Sequence, residues 1–217
     1  MFDLDGTLLD SVYQHVQAWQ VALQAQNIPL SFWRIHRKIG MSGGLFTNML
    51  LRETGMEFNE ARIERLREAH AEAFLQRLDS IKPLPGAAEL LAHLTAEEIP
   101  WAIATSGRMA TAGRHLGELG VDPARHVVVT RDQVRHAKPD PDLFIEAARR
   151  LDVPVENSIV VGDSVWDMLA SRRARALGVG VRSGGYGDDE LERAGAMRVY
   201  DDPADLLRHI DEVGGRR

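Results

Sequence analysis

Cysteine is absent from the 217-residue chain. That excludes disulfides, thiolate metal sites and a cysteine nucleophile together. No Lys/Arg-rich block occurs, and the formal net charge is −6. No nucleic-acid partner and no anionic membrane surface is therefore indicated. No apolar run is long enough to span a bilayer. No secretory signal pattern precedes Asp3, so a cytoplasmic location is the expectation. Internal repeats and low-complexity segments are also missing. What remains is an ordinary folding composition: 44% of residues are hydrophobic, which argues against wholesale disorder. The length allows one large domain, or a core domain carrying a smaller insertion.

Short apolar runs alternate with longer helical patterns. Met1–Leu4 reads as the end of a strand. Trp101–Thr105, His126–Thr130, Ser158–Val161 and Leu177–Val181 are compact and rich in Val, Ile or Ala, with Met197–Tyr200 a weaker candidate. Continuous apolar runs of this length predict buried parallel strands. Helices are predicted over Ala87–Leu94, Met109–Leu119, Pro141–Leu151, Ser164–Arg173, Asp188–Ala194 and Pro203–Val213. The last has Asp202 as N-cap and Pro203 at its first position. The alternation predicts an α/β fold with a doubly wound parallel sheet. From residue 12 to about 79 no strand is legible. Val12–Gln26 and Asn59–Leu78 read as helical, and Gly40–Gly44 as a loop or helix break between helical pieces. Residues 12–79 are thus expected to form an inserted helical subdomain, with 1–11 and 80–217 forming the core. The chain returns through Lys82–Gly86, a Pro/Gly connector.

Ligands of such sheets bind at the carboxyl ends of the strands. Asp3, Asp5, Gly6 and Thr7 follow the first strand, and Thr105, Ser106 and Gly107 the second. Lys138, Pro139 and Asp140 follow the third, and Gly162, Asp163, Ser164 and Asp167 the fourth. Converging carboxylates repel: at ~4 Å and an effective dielectric of ~20, each pair costs about 4 kcal/mol. Such a cluster needs a cation or must take up protons. All-oxygen ligands favour a hard ion such as Mg²⁺. Acids, small hydroxyls, glycines and one lysine could bind a divalent cation and a phosphate together.

Phe2–Ser11 (FDLDGTLLDS) resembles the DxDGT motif of the haloacid dehalogenase superfamily. Thr105-Ser106, Lys138 in KPDP, and Gly162-Asp163-Ser164 with Asp167 (GDSxxD) resemble its three further motifs, in order over essentially the whole chain. The resemblance is to the helical-cap phosphatase branch, akin to phosphoglycolate phosphatase and β-phosphoglucomutase. It implies hydrolysis of a phosphate monoester of a small metabolite. Asp3 would be the covalent nucleophile, and Asp5 the acid and later the base. Thr105, with the backbone of Ser106, would hold the phosphoryl group. Lys138 would neutralise charge, and Gly6 would allow a sharp turn. Asp3, the backbone carbonyl of Asp5 and Asp163 would hold Mg²⁺, with Asp167 supporting through water or Lys138.

Three other readings share parts of this pattern. A phosphomutase of the β-phosphoglucomutase kind shares all four motifs, but commonly carries an arginine where Gly43 follows Ser42. A dehalogenase lacks the second acid, present here as Asp5. A phosphorylation-dependent switch lacks the insertion. Within the insertion, His15 and Trp19 share a helical face and are expected to pack. Arg37 and Lys38 either form a solvated helix end or read a remote anionic group of the substrate. Only Met1 and Phe2 precede Asp3, short for a central strand, so the natural protein is expected to begin upstream with an apolar run.

Overall fold

Parallel strands form where the sequence concentrates small and β-branched apolar residues: β1 (Ala102–Thr105), β2 (Val127–Thr130), β3 (Ile159–Gly162), β4 (Leu177–Val181) and β5 (Ala196–Tyr200). The computed structural model describes residues 1–57 and 59–214. β1 pairs with β2, β3 with β4, and β4 with β5, all in parallel. The N-terminal residues join the two sets. Phe2 bridges both Ile103 and Val161. Its N–H donates to Ala102 O at 2.8 Å, and its carbonyl accepts from Ala104 N at 2.7 Å. On the other side Asp3 N donates to Val161 O at 2.9 Å. Asp3 therefore leaves the middle of the sheet, anchored by ladder bonds on both flanks.

Helices flank these strands: α5 (Ala87–Ala96), α6 (Met109–Leu116), α7 (Asp142–Leu151), α8 (Val165–Ala174), α9 (Asp188–Ala194) and α10 (Pro203–Arg208). α7 packs on β1 and β2, and α8 on β3 and β4. Leu143, Phe144 and Ala147 of α7 meet Ala102, Ala104, Val129 and Val160 of the strands in one buried cluster. Burying each large side chain there contributes about 1.5–3 kcal/mol. Two predicted helices are shorter than expected. The first ends at Leu116 and continues as a 3₁₀ turn to Leu119, where Gly120 turns left-handed at φ 73°. The last stops at Arg208, and Ile210–Val213 is a separate 3₁₀ turn.

The chain divides into two compact units, Met1–Asp10 with Lys82–Arg217, and Ser11–Ile81. The second is helical among the described residues: α1 (Val12–Ala25), α2 (Phe32–His36), α3 (Gly43–Thr54) and α4 (Glu60–Leu75), followed by a 3₁₀ turn at Leu78–Ser80. Asn59 caps α4 by accepting from Arg62 N. His15 stacks on Phe74 at 3.8 Å between centroids, and Trp19 packs on Phe46 and His70 at 4.2 Å each. Both α1 residues thus pack within an aromatic stack. Gly43 and Gly44 are not loop residues, as expected from sequence, but open α3. Glycine is tolerated at a helix start, where its propensity penalty matters least.

Lys38 corrects both expectations for it. It is buried, and its ammonium donates to Glu53 Oε1 at 2.6 Å and to Arg34 O at 3.0 Å. It is neither a solvated helix end nor an open anion reader; it ties α2 to α3. Lys38→Ala is expected to lower the thermal midpoint and to reduce turnover of every substrate alike. A rise in KM confined to substrates with a second anionic group would contradict this.

Candidate active site

The first unit gathers the acids at the carboxyl ends of its central strands. Asp3 follows Phe2, and Asp163 follows β3. Asp167 sits one helical turn into α8, held there by a reciprocal cap: Ser164 N and Ser164 Oγ both donate to Asp167 Oδ2, at 3.1 and 2.5 Å. Asp3, Asp163 and Asp167 are buried, with one oxygen of each within 4.8 Å of the others. Lys138 is fully buried too and pairs with both Asp3 Oδ1 and Asp167 Oδ1, the latter at 2.8 Å. Its ammonium lies 5.4 Å from the centre of the Phe144 ring, so the core cluster supports the charge from below. The turn bearing Lys138 is fastened to α8, because Arg173 donates to Pro139 O at 2.9 Å.

Asp5 is not one of these three carboxylates, but its charge acts on Asp3. Its carboxylate lies at the turn after β1, where a β-carbon on Gly107 would sit 3.6 Å from Oδ2. Thr105 is buried, and its hydroxyl oxygen accepts from Gly107 N at 2.9 Å. That bond leaves the hydroxyl hydrogen to be donated elsewhere. Gly6 adopts φ 83°, a left-handed turn open to glycine, and its N–H donates to Leu9 O at 2.8 Å. Three contacts at the site carried no reading in the sequence. Thr7 Oγ1 donates to Asp163 Oδ1 at 3.1 Å, Ser164 braces Asp167, and Ser183 Oγ donates to Gly6 O at 2.6 Å. Only the S-x-x-D spacing at Ser164 held a signal, as a capping box. Arg37 lies in the helical unit, at the C-cap of α2.

Burial pushes the Asp3 carboxyl up to about 7; Lys138 pulls against the shift, and Asp167 and Asp5 add to it. Asp163 is raised well above the ordinary carboxylate range by burial first, then by Asp167 and Asp3. Burial opposes the Lys138 ammonium, but Asp167 and Asp3 outweigh it and raise its pKa. Three ionised carboxylates against one ammonium leave a formal charge of −2 (−3 + 1). Such a charge balance favours uptake of protons or of a hard divalent cation. A raised carboxyl pKa stabilises the fold below the unfolded value, and that stability is lost as pH rises through the folded one. In chelator, Asp163→Asn is thus expected to match the wild-type thermal midpoint near pH 4 and to exceed it increasingly towards pH 8. A gap that shrinks with rising pH would contradict the assignment.

The parallel α/β core thus carries a lysine-paired aspartate cluster at its strand ends, a place where open α/β sheets bind ligands. The chain matches the family model "haloacid dehalogenase-like hydrolase" over residues 1–175. It is 34% identical over 179 residues to "Hexitol phosphatase A" of Escherichia coli K12, covering 80% of this chain and 78% of that protein. It is 29% identical over 216 residues to the "N-acetylmuramic acid 6-phosphate phosphatase" of Pseudomonas putida KT2440, covering 98% and 96%. A solved hydrolase from Pseudomonas syringae superposes with a TM-score of 0.95 at 57% identity, covering 98% of this chain and 97% of that one. The chain belongs to the haloacid dehalogenase-like hydrolases and is a phosphatase of that family.

Proposed function

We propose that this phosphatase hydrolyses the phosphate monoester of a small sugar-like or polyol metabolite, with Mg²⁺ bound and Asp3 as the covalent nucleophile. The observation that carries the reading is the buried Asp3–Lys138–Asp167 pairing beside Asp163. One oxygen of Asp3 attacks phosphorus as the ester P–O bond breaks, and the departing alkoxide takes the proton of Asp5. Asp5, now a carboxylate, then takes a proton from water. The water oxygen bonds phosphorus, the bond to Asp3 breaks, and phosphate leaves. Lys138 offsets the charge on Asp3 and on the transferring group. Thr105, the backbone of Ser106 and the Gly6 turn bind the phosphoryl oxygens. Oxygen donors with a net −2 charge and no His or Cys suit Mg²⁺. Held by Asp3, Asp163 and the carbonyl of Asp5, it would supply charge neutralisation for the approach of one anion to another.

Asp167 serves here chiefly through Lys138, since its other oxygen is occupied by Ser164. Arg37, at the C-cap of α2, is the remaining candidate for a remote anion. The sugar-like substrate class is supported by the names of two relatives, which specify a hexitol and N-acetylmuramic acid 6-phosphate. The test is p-nitrophenyl phosphate hydrolysis with Mg²⁺, followed by a panel of sugar and polyol phosphates. Activity is expected to vanish in EDTA, return with Mg²⁺ and fall with added Ca²⁺, which takes more ligands at longer distances. Full turnover in chelator after dialysis would refute the metal role.

A further inference from the structure

The turn that follows β4 touches the site at two points that none of the four motifs accounts for. Ser183 Oγ donates to the Gly6 carbonyl at 2.6 Å. Gly184, next in the chain, is buried against Asp163: a β-carbon there would fall 1.7 Å from Oδ2 and 2.5 Å from Cγ. No side chain fits, so the backbone of residue 184 forms one wall of the Asp163 carboxylate. Thr7 fixes the other oxygen through its hydroxyl, 3.1 Å from Oδ1. The contacts close a ring. Residues 3–7 reach Asp163 through Thr7, Asp163 abuts Gly184, and Ser183 returns to Gly6. Asp3 and Asp163 stand on different strands, and this ring fixes one relative to the other.

We infer that Ser183 and Gly184 are positioning residues that set the geometry of the divalent-cation site and favour a small octahedral cation over a larger one. The inference rests on the Mg²⁺ reading above. Asp163 is confined on both oxygens, so it cannot swing to offer both to one ion. Mg²⁺ demands near-ideal octahedral geometry at short distances, whereas Ca²⁺ accepts flexible, often bidentate shells. Loosening the ring should therefore harm Mg²⁺ binding more than Ca²⁺ binding. Partners of metal ligands typically change affinity by about 10–100-fold when removed.

The experiment is calorimetric titration of the full chain with Mg²⁺ and separately with Ca²⁺, which reads binding without turnover. Ser183→Ala is expected to raise the Mg²⁺ Kd about tenfold and the Ca²⁺ Kd by less than about threefold. Ser183→Thr keeps the hydroxyl and should stay within about threefold of wild type for both ions. Gly184→Ala is expected to abolish Mg²⁺ binding; because it also threatens folding, the Ser183 pair carries the test. Ser183→Ala binding Mg²⁺ as tightly as wild type, or losing both ions equally, would overturn the inference. A Thr variant as weak as the Ala variant would remove the hydroxyl from it. Wild type that binds no Mg²⁺ would instead sink the Mg²⁺ reading and this inference together.

Discussion

Asp3→Asn is expected to lower turnover by about 10⁴-fold or more, the scale seen when a covalent nucleophile is lost. That corresponds to at least about 5.5 kcal/mol of transition-state stabilisation. The amide is a poor nucleophile but nearly the same shape, so the fold should persist. Lys138 keeps its ion pair with Asp167, and the ladder bonds of residues 2 and 3 involve only backbone. Removing a carboxyl whose pKa burial has pushed up to about 7 also relieves acid crowding. The melting temperature is therefore expected to hold or rise while activity disappears. Steady-state kinetics and calorimetry on one preparation check both halves, and turnover within tenfold of wild type would end the covalent account.

Lys138→Met is expected to damage stability as well as activity. The substitution keeps most of the apolar stem against Phe144 but leaves Asp3 and Asp167 buried without their cation. Breaking a buried pair by removing one partner typically costs about 3–5 kcal/mol. For a chain of this length that is a drop of roughly 10 °C in the thermal midpoint. The loss should shrink as pH falls through about 7, because Asp3, already raised to about 7 by burial and no longer held down by Lys138, then takes up a proton. A variant as stable as wild type at pH 8 would mean that Lys138 is not the counter-ion the structure makes it.

Strands β1 to β4 were legible because they are largely buried, whereas β5, with Met197 and Arg198 exposed, was the weaker candidate. Runs such as Leu177–Val181 need no alternation to be read, and their boundaries fall within a residue of the observed ones. Helix ends were less legible, since they depend on tertiary fit. Nothing local to Met109–Leu119 says that the last turn tightens, and nothing in Pro203–Val213 says that it breaks at His209. Gly43-Gly44 read as a break because glycine disfavours helix, yet the pair falls at the start of α3, where that preference matters least. Lys38 was misjudged for a similar reason: its partner Glu53 lies on another helix, 15 residues away. At the site, the motif residues could be placed at strand ends from order and spacing. Their braces could not, because Thr7–Asp163 and Ser183–Gly6 are separated by 156 and 177 residues. A serine in a glycine-rich turn carries no sign of what its hydroxyl will meet.

The central claim is that a phosphoryl group passes through Asp3, and chemical trapping tests it most directly. Enzyme mixed with a turning-over phosphate ester and Mg²⁺ is quenched in acid, reduced with borohydride, digested and sequenced by mass spectrometry. An acyl phosphate at Asp3 is reduced to homoserine at that position. The account predicts homoserine at position 3 in samples given substrate, and unaltered aspartate there in samples given none. Active enzyme that shows only aspartate at position 3, or homoserine at another acid, would contradict it.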